Sequence, residues 1–417
     1  MMTNSAPARR LSANFWKFWI GQTISNLGSS VTMFALPLLV FKLTGSALNL
    51  GISTATTFLP YLLFGLIIGA WVDRVNRKQL MIATDIGRAL MIASIPLLDA
   101  LGMLSIWWIY AAGFINATLT IGFDSSEFAA IPNLVAQDDL VTANGRIQAS
   151  YSAASVIGPL LAGLLVALVP ISELLLIDAS SFLVSAFSLA LIGINFSASP
   201  GVGRAASSIR QDIVEGLRYV LSHPVLRNIS LMMALVNFVA STTYAQLVLF
   251  AKERLSASDT QVGLLYSAGS AGVVVLGLAA GPLRKRWSFS TVALGALMLE
   301  GLLIIGLALT RAYWAAIPIW MLCSGLGILF NINTSSLRQA IVPNHLLGRV
   351  MSIAGVLAWS AIPLGTFIGG LLIERTKNVA LVYGAIGVLM FLIPLAFTFT
   401  PLGRAERYLP DGAATEQ

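Results

Sequence analysis

The sequence predicts an all-α membrane protein with twelve transmembrane helices in two pseudo-symmetric six-helix bundles. Three observations carry this prediction. First, 57% of the 417 residues are hydrophobic and only 10% are charged, which is too apolar for a soluble protein of this size. Second, the apolar residues form continuous runs of roughly 20, the length that crosses a bilayer as a helix. Third, the two halves of the chain share landmarks in the same order.

The apolar runs predict helices, because strands of a membrane barrel are about 10 residues long and alternate in polarity. Bounded by charged residues, Gly or Pro, the expected spans are about 14–41, 48–70, 79–98, 104–126, 144–169, 173–194, 226–250, 260–282, 289–310, 313–335, 352–373 and 379–400.

The distribution of basic residues predicts the orientation. With the N-terminus inside, the cytoplasmic loops hold most of the 25 Lys and Arg residues, as is usual for membrane proteins. We therefore expect both termini in the cytoplasm and a multi-pass protein of the plasma membrane, the inner membrane of a bacterium. Scattered bases also account for the net charge of +7 without a nucleic-acid partner. The single cysteine, Cys323, excludes an intrachain disulfide.

The longest gap between apolar runs predicts the domain boundary. It separates an N-terminal bundle, 1–194, from a C-terminal bundle with a cytoplasmic tail, 226–417. The linker between them, 195–225, starts with small residues and continues as "IRQDIVEGLRYVLSHP", in which apolar residues recur at helical spacing. This pattern predicts an amphipathic helix, lying either on the inner membrane surface or in solvent.

An internal repeat links the two bundles. Asn26 matches Asn237, and Gly69 matches Gly281, each about 211 or 212 positions later, and further landmarks follow at similar offsets. Two parallel six-helix repeats are typical of a transporter whose substrate site lies between the halves.

The stretch "GAWVDRVNRKQL" at 69–80 resembles the loop-two signature of the major facilitator superfamily. The matching residues are Gly69, Asp73, Arg74, Arg77 and Lys78. An Asp at this helix end can cap the positive N-terminus of a helix in the opposite bundle, while the bases reach phosphate headgroups or carboxylates. The resemblance implies that Asp73 works in a cytoplasmic latch. The alternative is that the bases only enforce topology.

Further stretches narrow this resemblance. "SVIGPLLAGLL", with Gly158, Pro159 and Gly163, is similar to the helix-five motif of drug:proton antiporters. "IPNLVAQDDLVTANGR" and "DASSFLVSAFSLAL" resemble the branch that contains macrolide efflux proteins and the enterobactin exporter. The likeness implies the major facilitator fold and transport by alternating access, with a proton gradient in place of any cofactor.

Ionisable residues inside the spans are candidates for proton coupling, since a charge in the bilayer is costly. Asp85 and Arg88 are three apart on one helix, which favours a self-neutralising pair. Asp124 and Glu127 also share a helix face, and the resemblance places helix four against the cavity. They are therefore proton-coupling candidates, unless Glu127 pairs with a loop-two base.

Two further acids lie on helices that the resemblance places outside the cavity. For Asp178 we expect structural hydrogen bonding, with proton coupling as the alternative. Glu300 lies midway along helix nine and needs a partner or a proton, so its role stays open.

The cavity is expected between helices one, four, seven and ten. Their polar, sulfur-containing and aromatic residues are Gln22, Asn26, Ser29, Met33, Asn116, Asn237, Ser241, Tyr244, Trp320 and Asn331. Few fixed charges among such groups suit an amphipathic ligand. The alternative for each polar residue is a hydrogen bond that joins two helices.

The sequence thus predicts a secondary active transporter that exports amphipathic small molecules, such as macrolide-like drugs or a siderophore, by proton coupling. An endogenous lipid or metabolite as cargo is the alternative. A non-transporting sensor is disfavoured, and no metal-ligand cluster, nucleophile signature or phosphate loop suggests an enzyme. The expected partners are the substrate and membrane lipids, with the protein acting as a monomer.

Overall fold

The computed structural model describes residues 11–72, 75–136, 139–194 and 209–408. These residues form helices, turns and loops and contain no strand. The helices are α1 (Ala13–Thr44), α2 (Ala47–Val72), α3 (Arg77–Ala100), α4 (Ile106–Leu134), α5 (Leu140–Leu165), α6 (Leu175–Ala190), α7 (Ile209–Ser222), α8 (Pro224–Ala245), α9 (Leu247–Leu255), α10 (Asp259–Arg286), α11 (Phe289–Leu309), α12 (Tyr313–Ile341), α13 (Asn344–Trp359), α14 (Ala361–Thr376) and α15 (Val379–Thr398). A 3₁₀ segment, Pro401–Tyr408, follows.

The amphipathic helix expected in the linker is α7. The first part of that linker, 195–208, and the latch residues Asp73 and Arg74 lie outside the described residues.

Eleven of the described segments are long and apolar enough to cross a membrane. The sixth expected span, 173–194, is shorter than predicted, because α6 has only 16 residues, or about 24 Å at the helical rise. The residues just before α6, 171–174, form turns instead of α-helix. Leu176 N–H donates to Glu173 O (2.9 Å) and Ile177 N–H to Leu174 O (3.1 Å). These i to i−3 bonds replace the first turn of an α-helix.

Several other boundaries differ from the expected spans; for example, the fifth span ends at Leu165 and the tenth continues to Ile341. Helix α4 continues to Leu134, so Asp124 and Glu127 both lie within it. The seventh span ends at Ala245 and Gln246 (φ −102°, ψ 10°) separates it from α9. The eleventh is interrupted at Ser360, between α13 and α14.

The chain folds into two compact units. The first unit comprises 1–36 and 63–202 and the second comprises 37–62 and 203–417. A core of Phe15, Phe18, Met81 and Phe123 joins α1, α3 and α4 in the first unit. In the second, Ala280, Ala296, Leu326 and Leu329 join α10, α11 and α12.

Residues 37–62 are the end of α1 and the beginning of α2, here called the hairpin, and they belong to the second unit. The unit boundary falls at Pro37 in α1 and just after Pro60 in α2. Proline inside a helix has no N–H for the hydrogen-bond ladder and weakens the helix at that point. Both helices therefore pass from one unit to the other at a weakened turn.

Candidate functional site

A buried ionic cluster forms where α3 meets α4 and α6 in the first unit. The Arg88 guanidinium pairs with the Asp85 carboxylate, as their spacing predicted. It also lies over the rings of Phe123 (4.3 Å) and Phe182 (4.2 Å). Cation–π contact on two sides holds the guanidinium in place. We call Asp85, Arg88, Asp124 and Glu127 the Arg88 cluster.

The two acids of α4 lie within electrostatic range of Arg88. Asp124 has an accessible side chain, whereas Glu127 is only 6% exposed and its Oε1 is buried without a hydrogen bond among the described residues. The Arg88 cluster thus holds three carboxyl groups against one guanidinium. One charge can be neutralised by Arg88, and the surplus carboxyl groups are suited to carrying protons, because an unpaired buried carboxylate is costly.

Asp178 of α6 is held by hydroxyl groups. Its Oδ1 accepts from Ser29 Oγ of α1 (3.1 Å) and Ser181 Oγ (3.4 Å). Gly28 allows this contact, because a β-carbon there would lie 2.9 Å from the Asp178 Cα. The geometry favours a role for Asp178 in joining α1 to α6.

Of the loop-two bases, Lys78 contacts the end of α6. Arg77 begins α3, and Lys78 Nζ donates to the carbonyl oxygens of Ile192 (2.5 Å) and Ala190 (3.4 Å). Lysine at a helix C-terminus satisfies terminal carbonyls and interacts favourably with the helix dipole. Gly69 lies near the end of α2, directly before the undescribed part of the motif.

The helix-five motif brings α5 against α1. A β-carbon at Gly158 would lie 2.4 Å from the Ser30 Cβ, so only glycine permits this approach. Pro159 lies within α5 and Gly163 is buried.

Some candidate cavity residues of the first unit are buried in contacts between helices, and others are accessible. Gln22 is buried and donates from Nε2 to Ser185 Oγ (2.9 Å), which joins α1 to α6. Asn26 is half-buried, Met33 is exposed, and Asn116 Oδ1 is buried without a partner among the described residues.

The candidate cavity residues of the second unit also include hydrogen-bonded and accessible side chains. Asn237 Nδ2 donates to Ala358 O (2.9 Å) and Ser241 Oγ to Phe238 O (3.2 Å). Tyr244 is 43% exposed, and its ring centroid lies 5.0 Å from that of the buried Trp320. Asn331 is exposed and donates to Gly327 O (3.1 Å).

The hairpin is attached to the second unit by polar contacts that sequence patterns did not single out. Lys42 Nζ of the hairpin lies 2.5 Å from a carboxylate oxygen of Asp259 of α10, and Lys252 Nζ of α9 lies 2.5 Å from the other oxygen of the same carboxylate. Gln246 Nε2 donates to Ala47 O (2.7 Å) and Ser46 Oγ to Glu374 Oε2 (3.0 Å).

Backbone packing supports these contacts. A β-carbon at Gly51 would lie 2.4 Å from Thr366 O, and one at Gly370 would lie 2.7 Å from Ala47 O. The hairpin and α14 therefore approach closely through glycine. The sequence signal at Asp259 was that of an ordinary helix start, a capping box at Ser258 and Gln261.

The fold is similar to those of solved transporter structures. The nucleoside transporter NupG is 11% identical, with a TM-score of 0.75 over 93% of this chain and 98% of that one. A bacterial homologue of the iron transporter ferroportin is 18% identical, with a TM-score of 0.73 over 94% and 100%. These likenesses show a shared transporter fold.

Sequence comparison gives relatives along most of the chain. The multidrug efflux pump Tap of Mycolicibacterium fortuitum is 28% identical over 90% of this chain and 92% of its own length. Macrolide efflux protein A of Streptococcus pyogenes is 25% identical over 87% and 89%. The family model for transmembrane secretion effectors matches residues 3–411. The chain therefore belongs to the transmembrane secretion effector family and is a multi-pass membrane transporter of the major facilitator superfamily.

Proposed function

We propose that this transporter exports amphipathic small molecules in exchange for protons, by alternating access. The relatives are described as multidrug and macrolide efflux pumps, which supports drug-like cargo and outward transport. The small number of charged side chains among the candidate cavity residues agrees with such a cargo.

The Arg88 cluster is the observation that carries proton coupling. Asp124 is accessible, whereas Glu127, one turn along α4, is buried, and both lie within electrostatic range of Arg88. A proton that enters at Asp124 can therefore reach a buried acid on the same helix. Arg88 is held by Asp85 and by two aromatic rings, and it supplies a fixed positive charge against which the protons of α4 are gained and lost.

The hairpin supports alternating access. It is part of α1 and α2 in sequence but is docked on the second unit, and it joins the rest of those helices at Pro37 and Pro60. Helix ends that absorb backbone changes are typical of hinges. The hairpin acts as a gate. Its ion pair and hydrogen bonds stabilise one of the two alternating-access states, and their release permits the other state.

Orientation follows from the basic loops. Both termini lie in the cytoplasm of a bacterial cell, with the protein in the plasma membrane as a monomer among lipids. Lys42, Lys252 and Lys377 are then external, so the hairpin contacts form the outer gate and the loop-two motif works on the cytoplasmic side.

The test uses purified protein in liposomes. A proton gradient of either sign is imposed, and movement of a macrolide, a lipophilic cation and a catecholate siderophore is followed. Accumulation against a concentration gradient that collapses when an ionophore removes the proton gradient supports proton-coupled export. Downhill movement that ignores the proton gradient contradicts it, and no movement of any of the three favours a lipid or metabolite as cargo.

A further inference from the structure

A buried acid in the second unit lacks a cationic partner. Glu300 of α11 is 3% exposed, and its Oε2 makes no hydrogen bond to the described residues. Among those residues no basic side chain pairs with it.

The Glu300 carboxylate points at a position where α12 has no side chain. A β-carbon at Gly327 would lie 3.7 Å from Glu300 Oε2 and 3.8 Å from the hydroxyl oxygen of Tyr244. The carboxylate and the phenol therefore converge on the same small space. Tyr244 is 43% exposed, so its ring forms an accessible edge of that space.

Aromatic surface lies beside the carboxylate. Trp320, Ser324, Gly327 and Asn331 recur at helical spacing and share one face of α12. The Trp320 and Tyr244 rings are inclined at 58° with centroids 5.0 Å apart. Ser324, on the same face, is buried and lies close to the Tyr244 hydroxyl.

We propose that Glu300, Tyr244, Trp320 and Gly327, here called the Glu300 cluster, bind the positively charged group of an organic cation. The carboxylate neutralises the charge, the aromatic groups contact the cation and its apolar substituents, and the absence of a side chain at Gly327 leaves the carboxylate and the phenol facing the same space. Amphipathic ligands with a quaternary or protonated tertiary amine, or a phosphonium, have this chemistry. The proposal rests on the proposed function, whose cargo class it narrows to cations for this subsite.

Binding to the purified full chain tests the cluster without transport. Tetraphenylphosphonium is titrated by equilibrium dialysis against wild type and Glu300→Gln, with neutral triphenylphosphine oxide as a matched uncharged probe. Loss of a buried charge partner is expected to weaken phosphonium binding roughly thirtyfold. Binding of the neutral probe should change less than about twofold. Glu253→Gln, on α9 in the same unit, makes the same chemical change outside the cluster and should alter neither.

Gly327→Ala is a second variant that keeps every charge. Its methyl group makes only ordinary contacts, so the fold is retained, but it occupies the space between the carboxylate and the phenol. Weaker phosphonium binding with both variants supports the cluster. Unchanged phosphonium binding, an equal loss of both probes with Glu300→Gln, or no phosphonium binding by wild type overturns it.

The two proposals fail in different ways. If phosphonium binding depends on Glu300 while no substrate is exported, the cluster stands and the proposed export is wrong. If export is proton-driven while Glu300→Gln leaves cation binding unchanged, export stands and the cluster is wrong.

Discussion

Asp259→Asn should release the hairpin from the second unit. The Asp259 carboxylate pairs with both Lys42 and Lys252 at 2.5 Å, and the amide cannot neutralise either. The side chains are partly exposed, 24% for Asp259, 42% for Lys42 and 20% for Lys252, so solvent screens both pairs. Only the Lys42 pair joins the hairpin to α10, since Lys252 lies on α9. Such a pair is worth about 0.2 to 1 kcal/mol, so its loss multiplies the undocked population roughly 1.4- to 5-fold.

The assay is the rate at which a maleimide modifies Leu50→Cys. Leu50 lies in the hairpin and is 1% exposed, so its cysteine reacts when the hairpin is undocked. The native Cys323 is buried and contributes little background. Both backgrounds carry Leu50→Cys, so any effect of that substitution cancels.

Asp99→Asn is the matched control, because Asp99 is an exposed acid near the end of α3. High salt should raise the rate in wild type toward that of Asp259→Asn, since screening weakens exposed ion pairs. An unchanged rate in Asp259→Asn, or an equal increase in Asp99→Asn, refutes the gating role of the Lys42–Asp259 pair.

Two further predictions concern the stability of the units. Arg88→Met should lower the free energy of unfolding by about 3 to 5 kcal/mol, because it leaves the buried Asp85 carboxylate unpaired. Thermal melting in detergent should show a large drop in melting temperature, which adding Asp85→Asn partly restores. An equal drop when Arg88→Met is made in the Asp85→Asn background would contradict the pair. His223 Nδ1 accepts from Leu226 N–H (3.5 Å) at the start of α8, and burial lowers the pKa of His223 from its usual 6.5. The native state then binds fewer protons than the unfolded state, so this contribution is present above about pH 6.5 and is lost as the pH falls through the lower native pKa. His223→Asn, which caps without titrating, should reduce the drop in melting temperature between about pH 8 and about pH 5.5, and an unchanged drop would exclude His223 as its source.

Sequence patterns predicted the features that a single helix determines. Asp85 and Arg88 pair because three residues make nearly one turn, and the linker helix follows from its apolar spacing. Asp124 and Glu127 were identified as a pair on one helix for the same reason. Their shared counterion, Arg88, depends on how α3 packs against α4, which periodicity does not show.

Other features depend on contacts between distant segments. Gln246 is fully buried and bonds to Ala47 O, 199 residues away, a contact that no local pattern indicates. Glu300 was placed outside the cavity by its helix, yet its carboxylate reaches the space over Gly327 because α12 has no side chain there. A glycine in a membrane helix has no sequence signature that separates close packing from an open space.

The internal repeat also predicts matching positions but not the contacts that those positions make. Glu127 and Arg338 occupy matching positions by sequence offset, and both are buried. Arg338 contacts Met233 Sδ at 3.0 Å, whereas Glu127 lies within electrostatic range of Arg88. The two copies thus keep the position and reverse the charge.

Substrate-triggered proton movement tests proton coupling most directly. In liposomes with an internal pH indicator, adding an exported substrate to wild type should move protons, and Asp99→Asn should behave like wild type. Asp124→Asn should abolish both this proton movement and uphill transport, while exchange of substrate for substrate continues. Undiminished proton movement in Asp124→Asn and in Glu127→Gln would contradict coupling through the Arg88 cluster.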